Sequence, residues 1–344
     1  MMAAQNIDVD KEVVAGVPAV EIVRMRLDVL NYFGGKFHEV KQLLRLYPRA
    51  NKELFRRKAS EFLDEDFGSS LLPQDINLLL YSVLSRVTLP FLEEEAVLEV
   101  TKGFPQLLLH LSENGDNNFS VFFDYIKDTG YLDAIQRDCL SLYSKIFEIE
   151  LYLRPAIYLD FSSGNDDKKT SAKISKLGFD NCKDIYKDLA EVFGRQLILV
   201  AAINNLLKRK DFNLFKSKDG GVLSSLDKFA DKVLADKFKY LDECWYKIDA
   251  SILNAGVRNS IAHYSFKYDE FSQVVTCYPE KEGLKQESVI EINFLSFVRM
   301  ILQLFREVHY LHHLVKALFY YEYLVLNKTD SSGVIPPEKS THQK

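Results

Sequence analysis

From about Val20 to Phe161, apolar residues recur three and four positions apart, the period of helices that bury one face. Segments 20–33, 38–47, 51–63, 74–87 and 132–153 carry this pattern, with turns expected at Gly34-Gly35, Pro73 and 113–118. No self-similarity at the length of a repeat unit interrupts it. Residues 162–175 are polar, glycine-containing and aperiodic, as a linker is, so residues 1–161 are predicted to form an N-terminal all-helical domain.

A second helical region is expected over 176–328. Asp180 and Asn181 suit a helix start, and Ile185, Leu189, Val192, Leu199, Ile203 and Leu206 then share one face, predicting a core helix of roughly seven turns. Further helices are expected over 224–238 and 242–264. Beyond His263 the pattern turns to alternating aromatic and β-branched residues on either side of Asp269-Glu270, predicting a β-hairpin near 264–292 that includes a third short strand at 288–292. Residues 293–326 read as one long, strongly apolar helix, and residues 329–344 lack any core-forming pattern and are expected to be disordered. The expected fold class is mainly α: an N-terminal helical domain followed by a helical bundle with a small hairpin insertion.

Composition narrows the functional classes. Close to half of the 344 residues are apolar, enough for a sizeable core, and the net charge of −5 argues against a protein that coats nucleic acid through overall charge. The four cysteines, Cys139, Cys182, Cys244 and Cys277, are scattered, without the paired spacing of a zinc ribbon or a disulfide scaffold. The acidic N-terminus lacks the apolar core of a signal peptide, and no apolar run reaches a membrane span, so a soluble cytoplasmic protein without membrane association is expected. No P-loop, dinucleotide-binding glycine pattern or GxSxG is present, and no cofactor or metal is expected.

Candidate chemistry centres on "NAGVRNSIAHYSFKYD", residues 254–269. On a helix, Ala250, Leu253, Val257 and Ile261 form a core stripe, whereas Ile252, Gly256, Asn259 and His263 share another face. Glycine inside a helix costs about 1 kcal/mol relative to alanine, which suggests that something approaches closely at Gly256. Arg258 projects about 140° around from His263. A guanidinium fork suits phosphate oxygens, and imidazole is the side chain that ordinarily exchanges protons near neutrality. The same spacing also arises by chance on structural helices.

"RNSIAH" resembles the R-x4–6-H motif of the HEPN superfamily (higher eukaryotes and prokaryotes nucleotide-binding), over roughly the last 150 residues. The resemblance implies a bundle of four or five helices with the motif late in the chain. It also implies a metal-independent ribonuclease acting as a homodimer, with His263 as general acid/base, Arg258 on the scissile phosphate and Asn259 as orienting amide. The products would be 2′,3′-cyclic phosphate and 5′-OH ends, in the setting of bacterial anti-phage defence. A regulatory or antitoxin partner would sit on the N-terminal helices. The alternatives are a non-catalytic HEPN module that binds nucleotide or RNA, and a helical adaptor.

Other residues extend or compete with this reading. Lys208, Arg209, Lys210, Lys216 and Lys218, interleaved with Phe212 and Phe215, are candidate RNA contacts, although cations also suit a helix C-terminus. Tyr264 and Tyr268 offer base stacking or simple hairpin packing. Glu191 and Arg195 suit an i, i+4 ion pair. Arg195, Asn204 and an inward-facing His312 are candidate cleft-lining residues, while His313 is expected on the polar side of its helix with Arg299 and Arg306.

Overall fold

The N-terminal periodicity folds into α1 (Ala19–Gly34), α2 (Phe37–Leu46), α3 (Lys52–Leu63) and α4 (Pro73–Thr88), close to the expected bounds. Asn51 caps α3 by accepting from the Leu54 amide at 3.0 Å, and Pro73 stands at the first turn of α4, where its missing N–H costs nothing. The computed structural model describes residues 13–14, 17–49, 51–114, 117–160, 178–217, 220–241, 243–248, 252–280 and 288–326. The predicted linker at 162–175 and tail at 329–344 lie outside these residues.

Next come α5 (Glu94–Asn114), which carries Pro105 inside it, α6 (Asn118–Asp128), α7 (Tyr131–Glu148) and α8 (Glu150–Leu159). The single helix expected over 132–153 is in fact two, because Ile149 leaves helical geometry (φ −104°, ψ 8°) with its side chain fully buried. A two-residue pairing of β1 (Val13–Val14) with β2 (Val17–Pro18) precedes α1.

The long core helix is α9 (Phe179–Arg209), 31 residues, starting after Gly178 rather than at the expected Asp180. β3 (Phe215–Lys216) pairs with β4 (Val222–Leu223). The helix expected over 224–238 is split into α10 (Leu226–Ala230) and α11 (Leu234–Lys237). The one expected over 242–264 shortens to α12 (Ala255–Ala262). Asn254 is the reason: its backbone is extended and its Oδ1 accepts from the Val257 amide at 3.1 Å, starting the helix there. Upstream, Trp245 is held outside any helix by its indole N–H on the Val200 carbonyl (3.1 Å).

The predicted hairpin is β5 (Phe266–Asp269) and β6 (Val274–Cys277), and β7 (Ile290–Asn293) completes an antiparallel sheet in the order β5-β6-β7. Asn293 then caps α13 (Phe294–Tyr321), accepting from the Ser296 amide at 2.7 Å. The fold is mainly α, as expected.

α13 organises the packing. It lies against α9 and also against α5, α7 and α8, so one apolar core runs from Leu30 to Tyr321. The two stretches of chain on either side of 162–175 therefore contribute to one core. α9 is long and apolar enough to cross a membrane by length and composition, yet 89% of its most apolar window is buried within the protein, as in the core helix of a soluble fold.

Candidate functional site

The site is built on α12, only eight residues long. Its inner face is Val257, Ser260 and Ile261, all buried against the sheet. Ser260 Oγ donates to the Gly256 carbonyl at 2.8 Å, and the Ser260 hydroxyl also lies against the thiol of buried Cys277 on β6. Burial pushes that thiol up to about 11. Past the helix, Ser265 Oγ donates to the Tyr278 carbonyl (2.7 Å) and the Tyr278 amide donates to the Ser265 carbonyl (2.9 Å), tying the end of α12 to the hairpin.

The close approach at Gly256 comes from within the chain. A Cβ there would sit 2.4 Å from Ile290 Cδ1 and 3.1 Å from Pro279 Cγ. The glycine makes room for the edge of the sheet, so the neighbour that comes close at Gly256 is Ile290 of β7.

Arg258 reaches α9, its Nη2 donating to Glu191 Oε1 at 2.7 Å. The pair is partly open, with side-chain exposures of 24% and 59%. Beneath it lies Tyr186, fully buried, whose hydroxyl has no hydrogen-bond partner among the described residues. Burial raises that phenol and the Arg258 charge opposes the rise. Lys237 on α11 completes the surroundings. Its ammonium donates to the Gly194 carbonyl at 2.8 Å, and burial brings it down to about 8 against the opposing pull of Glu191.

His263 closes α12 as its C-terminal cap, its amide donating to the Asn259 carbonyl at 3.0 Å, and its ring is exposed. Tyr264 follows in left-handed geometry (φ 57°), 75% exposed, with the Lys183 ammonium 5.9 Å from its ring centroid. α12 thus runs back along α9, with Arg258 at the level of Glu191 and Tyr264 about two turns nearer the start of α9. On this side of α9, Arg258 faces Glu191, and Tyr264, just past His263, faces Lys183.

Lys208, Arg209 and Lys210 end α9, about 25 Å along it from Glu191. Lys208 pairs with Glu243 (2.9 Å), Arg209 donates to Asn205 Oδ1 (2.9 Å) and Lys210 is the left-handed cap. Lys216 is an exposed residue of β3, Phe212 and Phe215 are core residues, and Lys218 lies outside the described residues. Arg195 pairs with Asp138 on α7, not with Glu191. Asn204 accepts from the Trp245 amide (3.4 Å) and so holds the segment before α12 rather than lining a cleft. Tyr268 stacks on Phe179, centroids 4.5 Å apart and planes within 14°, so that ring face packs the hairpin onto α9.

His312 faces inward as expected, but not beside His263. It lies about 20 Å along α13 from Phe297, the residue that packs on Tyr186. Its Nε2 is 3.0 Å from Gln136 Oε1, which can only accept, so Nε2 carries the proton and Nδ1 accepts from Tyr143 Oη at 2.8 Å. Tyr143 Oη in turn accepts from His309 Nδ1 at 3.0 Å. Burial holds His312 down to about 3 and His309 far below its ordinary value, so both are neutral donors and acceptors inside the core. Arg306, expected on the polar side, is buried: it donates to the Phe91 carbonyl (2.7 Å), Glu93 (3.0 Å) and Asp160 (2.5 Å).

Sequence reasoning missed Glu191 as the partner of Arg258, and missed Tyr186 and Lys183. The signal was the stripe Asp180, Lys183, Lys187 and Glu191, polar positions three and four apart on an otherwise buried helix. No family model matches the chain, and comparison with curated proteins and with solved structures finds no match.

Proposed function

We propose that this protein is a metal-independent endoribonuclease of the HEPN type, a toxin-like effector of anti-phage defence. The observation that supports the reading is the pairing of a part-exposed arginine and an exposed histidine on one short helix, with the arginine anchored through a single nitrogen by Glu191. The remaining N–H groups of such a fork suit the non-bridging oxygens of a phosphodiester. His263 accepts the 2′-OH proton as the 2′ oxygen bonds to phosphorus. The bond from phosphorus to the 5′ oxygen then breaks and that oxygen takes up a proton, leaving a 2′,3′-cyclic phosphate and a 5′-OH. One chain supplies one motif histidine, and a second copy of the chain supplies the second proton-transfer group.

The Arg258–Glu191 pair also favours a second reading, in which Arg258 is a strut joining α12 to α9 in a protein that binds RNA or a partner without cleaving. Incubating wild type, Arg258→Ala and His263→Ala with total RNA in EDTA separates the two. The nuclease reading expects wild type to produce cyclic phosphate ends and both variants to lose at least about a hundredfold in rate, within the range for loss of a general acid/base. Cleavage that persists in His263→Ala overturns it. RNA bound but uncut by wild type supports the second reading.

A further inference from the structure

We propose that the groove between α5 and α13 binds a small amphiphilic monoanion, a carboxylate carried on an apolar tail or ring, with Lys316 as its counter-ion. This site goes beyond the ribonuclease reading. It stands about 28 Å along α13 from Phe297, at the opposite end of that helix from Arg258.

The groove has a volume of about 210 Å³ and is walled by apolar side chains, among them Pro105, Leu108 and Leu109 of α5 and Ala317 and Tyr321 of α13. A smaller cavity of about 80 Å³ shares His313 and Lys316 with it and is also lined by Tyr81 and Tyr143. Ligand sites for small molecules share this make-up, mostly apolar walls with a few placed polar groups. At about 210 Å³ the space is below the ~300 Å³ typical of drug-sized ligands, which favours a short chain or a single substituted ring.

Charge complementarity selects the occupant. Lys316 is half-buried and, among the described residues, has no carboxylate partner. Its ammonium sits 4.6 Å from the centre of the Tyr81 ring, a contact that supports a cation without neutralising it. Burial lowers its proton affinity, and no anion is at hand to raise it. His313 is held down to about 4 by burial and by Lys316 itself, so it is neutral at physiological pH. Among the described residues, Lys316 is therefore the one formal charge on the groove wall. A cation half-withdrawn from water, next to an apolar space, gains from an anion that brings its own apolar body. A cationic ligand would be repelled, and a neutral one would leave the ammonium unmatched.

Calorimetric titration of the full chain with octanoate, octan-1-ol and octylamine tests this, using wild type, Lys316→Met, Lys316→Arg and Leu109→Trp. Leu109 is 43% exposed at the rim, where a larger ring obstructs the groove without entering the core. The expected result is saturable octanoate binding to wild type. The alcohol and the amine should bind at least about tenfold more weakly. Affinity should fall about tenfold or more in Lys316→Met and in Leu109→Trp, and persist in Lys316→Arg. Persistence in the charge-retaining variant distinguishes loss of the counter-ion from loss of the fold. Absence of octanoate binding to wild type overturns the proposal. So does undiminished binding to Lys316→Met, or octan-1-ol binding as tightly as octanoate.

Discussion

At the scale of single residues, the molecule's polar interior is ordered by donor and acceptor counting. Gln136 Oε1 receives both the Tyr81 hydroxyl (3.0 Å) and His312 Nε2–H (3.0 Å), which leaves His312 Nδ1 for the Tyr143 hydroxyl. A histidine held neutral in this way ties stability to pH. The unfolded chain takes up the proton as pH falls below about 6.5, whereas folded His312 does so only near 3. The stabilisation is complete above 6.5 and drains away as pH falls toward 3. His312→Gln keeps one acceptor and one donor but cannot titrate. Unfolding free energies from urea titrations between pH 6.5 and 4 should therefore fall less steeply in this variant, by about 1.4 kcal/mol per pH unit. Parallel slopes for the two proteins would refute the assignment. The inward position of His312 was legible from the apolar stripe of its helix, but its partners were not, since Gln136 and Tyr143 arrive from α7, far away in sequence. The same holds for Arg258. Its partner Glu191 stands one helical turn from Arg195, so the local pairing looked sufficient until Asp138 took Arg195 instead. Because the Arg258–Glu191 pair is partly open to water, a double-mutant cycle should give a coupling of only about 0.5–1 kcal/mol in stability.

At the scale of elements, α12 shows how a short helix is placed by its neighbours. The spacing of Leu253, Val257 and Ile261 identified its buried face, and all three are buried. It did not identify the start, because Leu253 fits the stripe while Asn254, itself in extended geometry, caps the helix. Asn254→Ala should cost about 1 kcal/mol, measured by chemical denaturation, the usual loss for an N-cap. Gly256 gives a sharper test. Alanine there gains helix propensity but meets Ile290 Cδ1 and Pro279 Cγ, and overpacking of this kind costs about 1–3 kcal/mol. Gly256→Ala should be destabilising, and adding Ile290→Val, which removes the offending methyl, should recover most of the loss. A Gly256→Ala variant as stable as wild type would show that the sheet edge yields freely. The long elements were legible because both stay apolar and periodic over many turns: α9 nearly to the residue, α13 at its start, although it ends at Tyr321 rather than 326. α10 and α11 were not, since five- and four-residue helices carry too few positions to fix a period.

At the scale of the whole molecule, the shared core makes the chain one cooperative unit. Arg306 shows the coupling most directly: from α13 it holds the Phe91 carbonyl, Glu93 and Asp160, three points that precede the 162–175 stretch. Arg306→Ala leaves Asp160 beside Arg26 alone and opens the buried site, so a loss of about 3–5 kcal/mol is expected. Near- and far-ultraviolet signals should change together in a single denaturation transition, for wild type as for the variant. Two separated transitions would contradict the single core. The polar stretch at 162–175 suggested a boundary because composition reports what a segment cannot bury, not which helices meet across it.

The place of α13 in the chain has a consequence for biosynthesis. α5, α7 and α8 leave the ribosome long before the helix that covers them, at about 5–20 residues per second. Through that interval their apolar faces are open to water and to one another. Completion of the fold has to follow translation of α13 rather than accompany translation of the first half. A nascent chain stalled before Phe294 should therefore recruit chaperones and be readily cut by protease, and release of the finished helix should end both vulnerabilities at once.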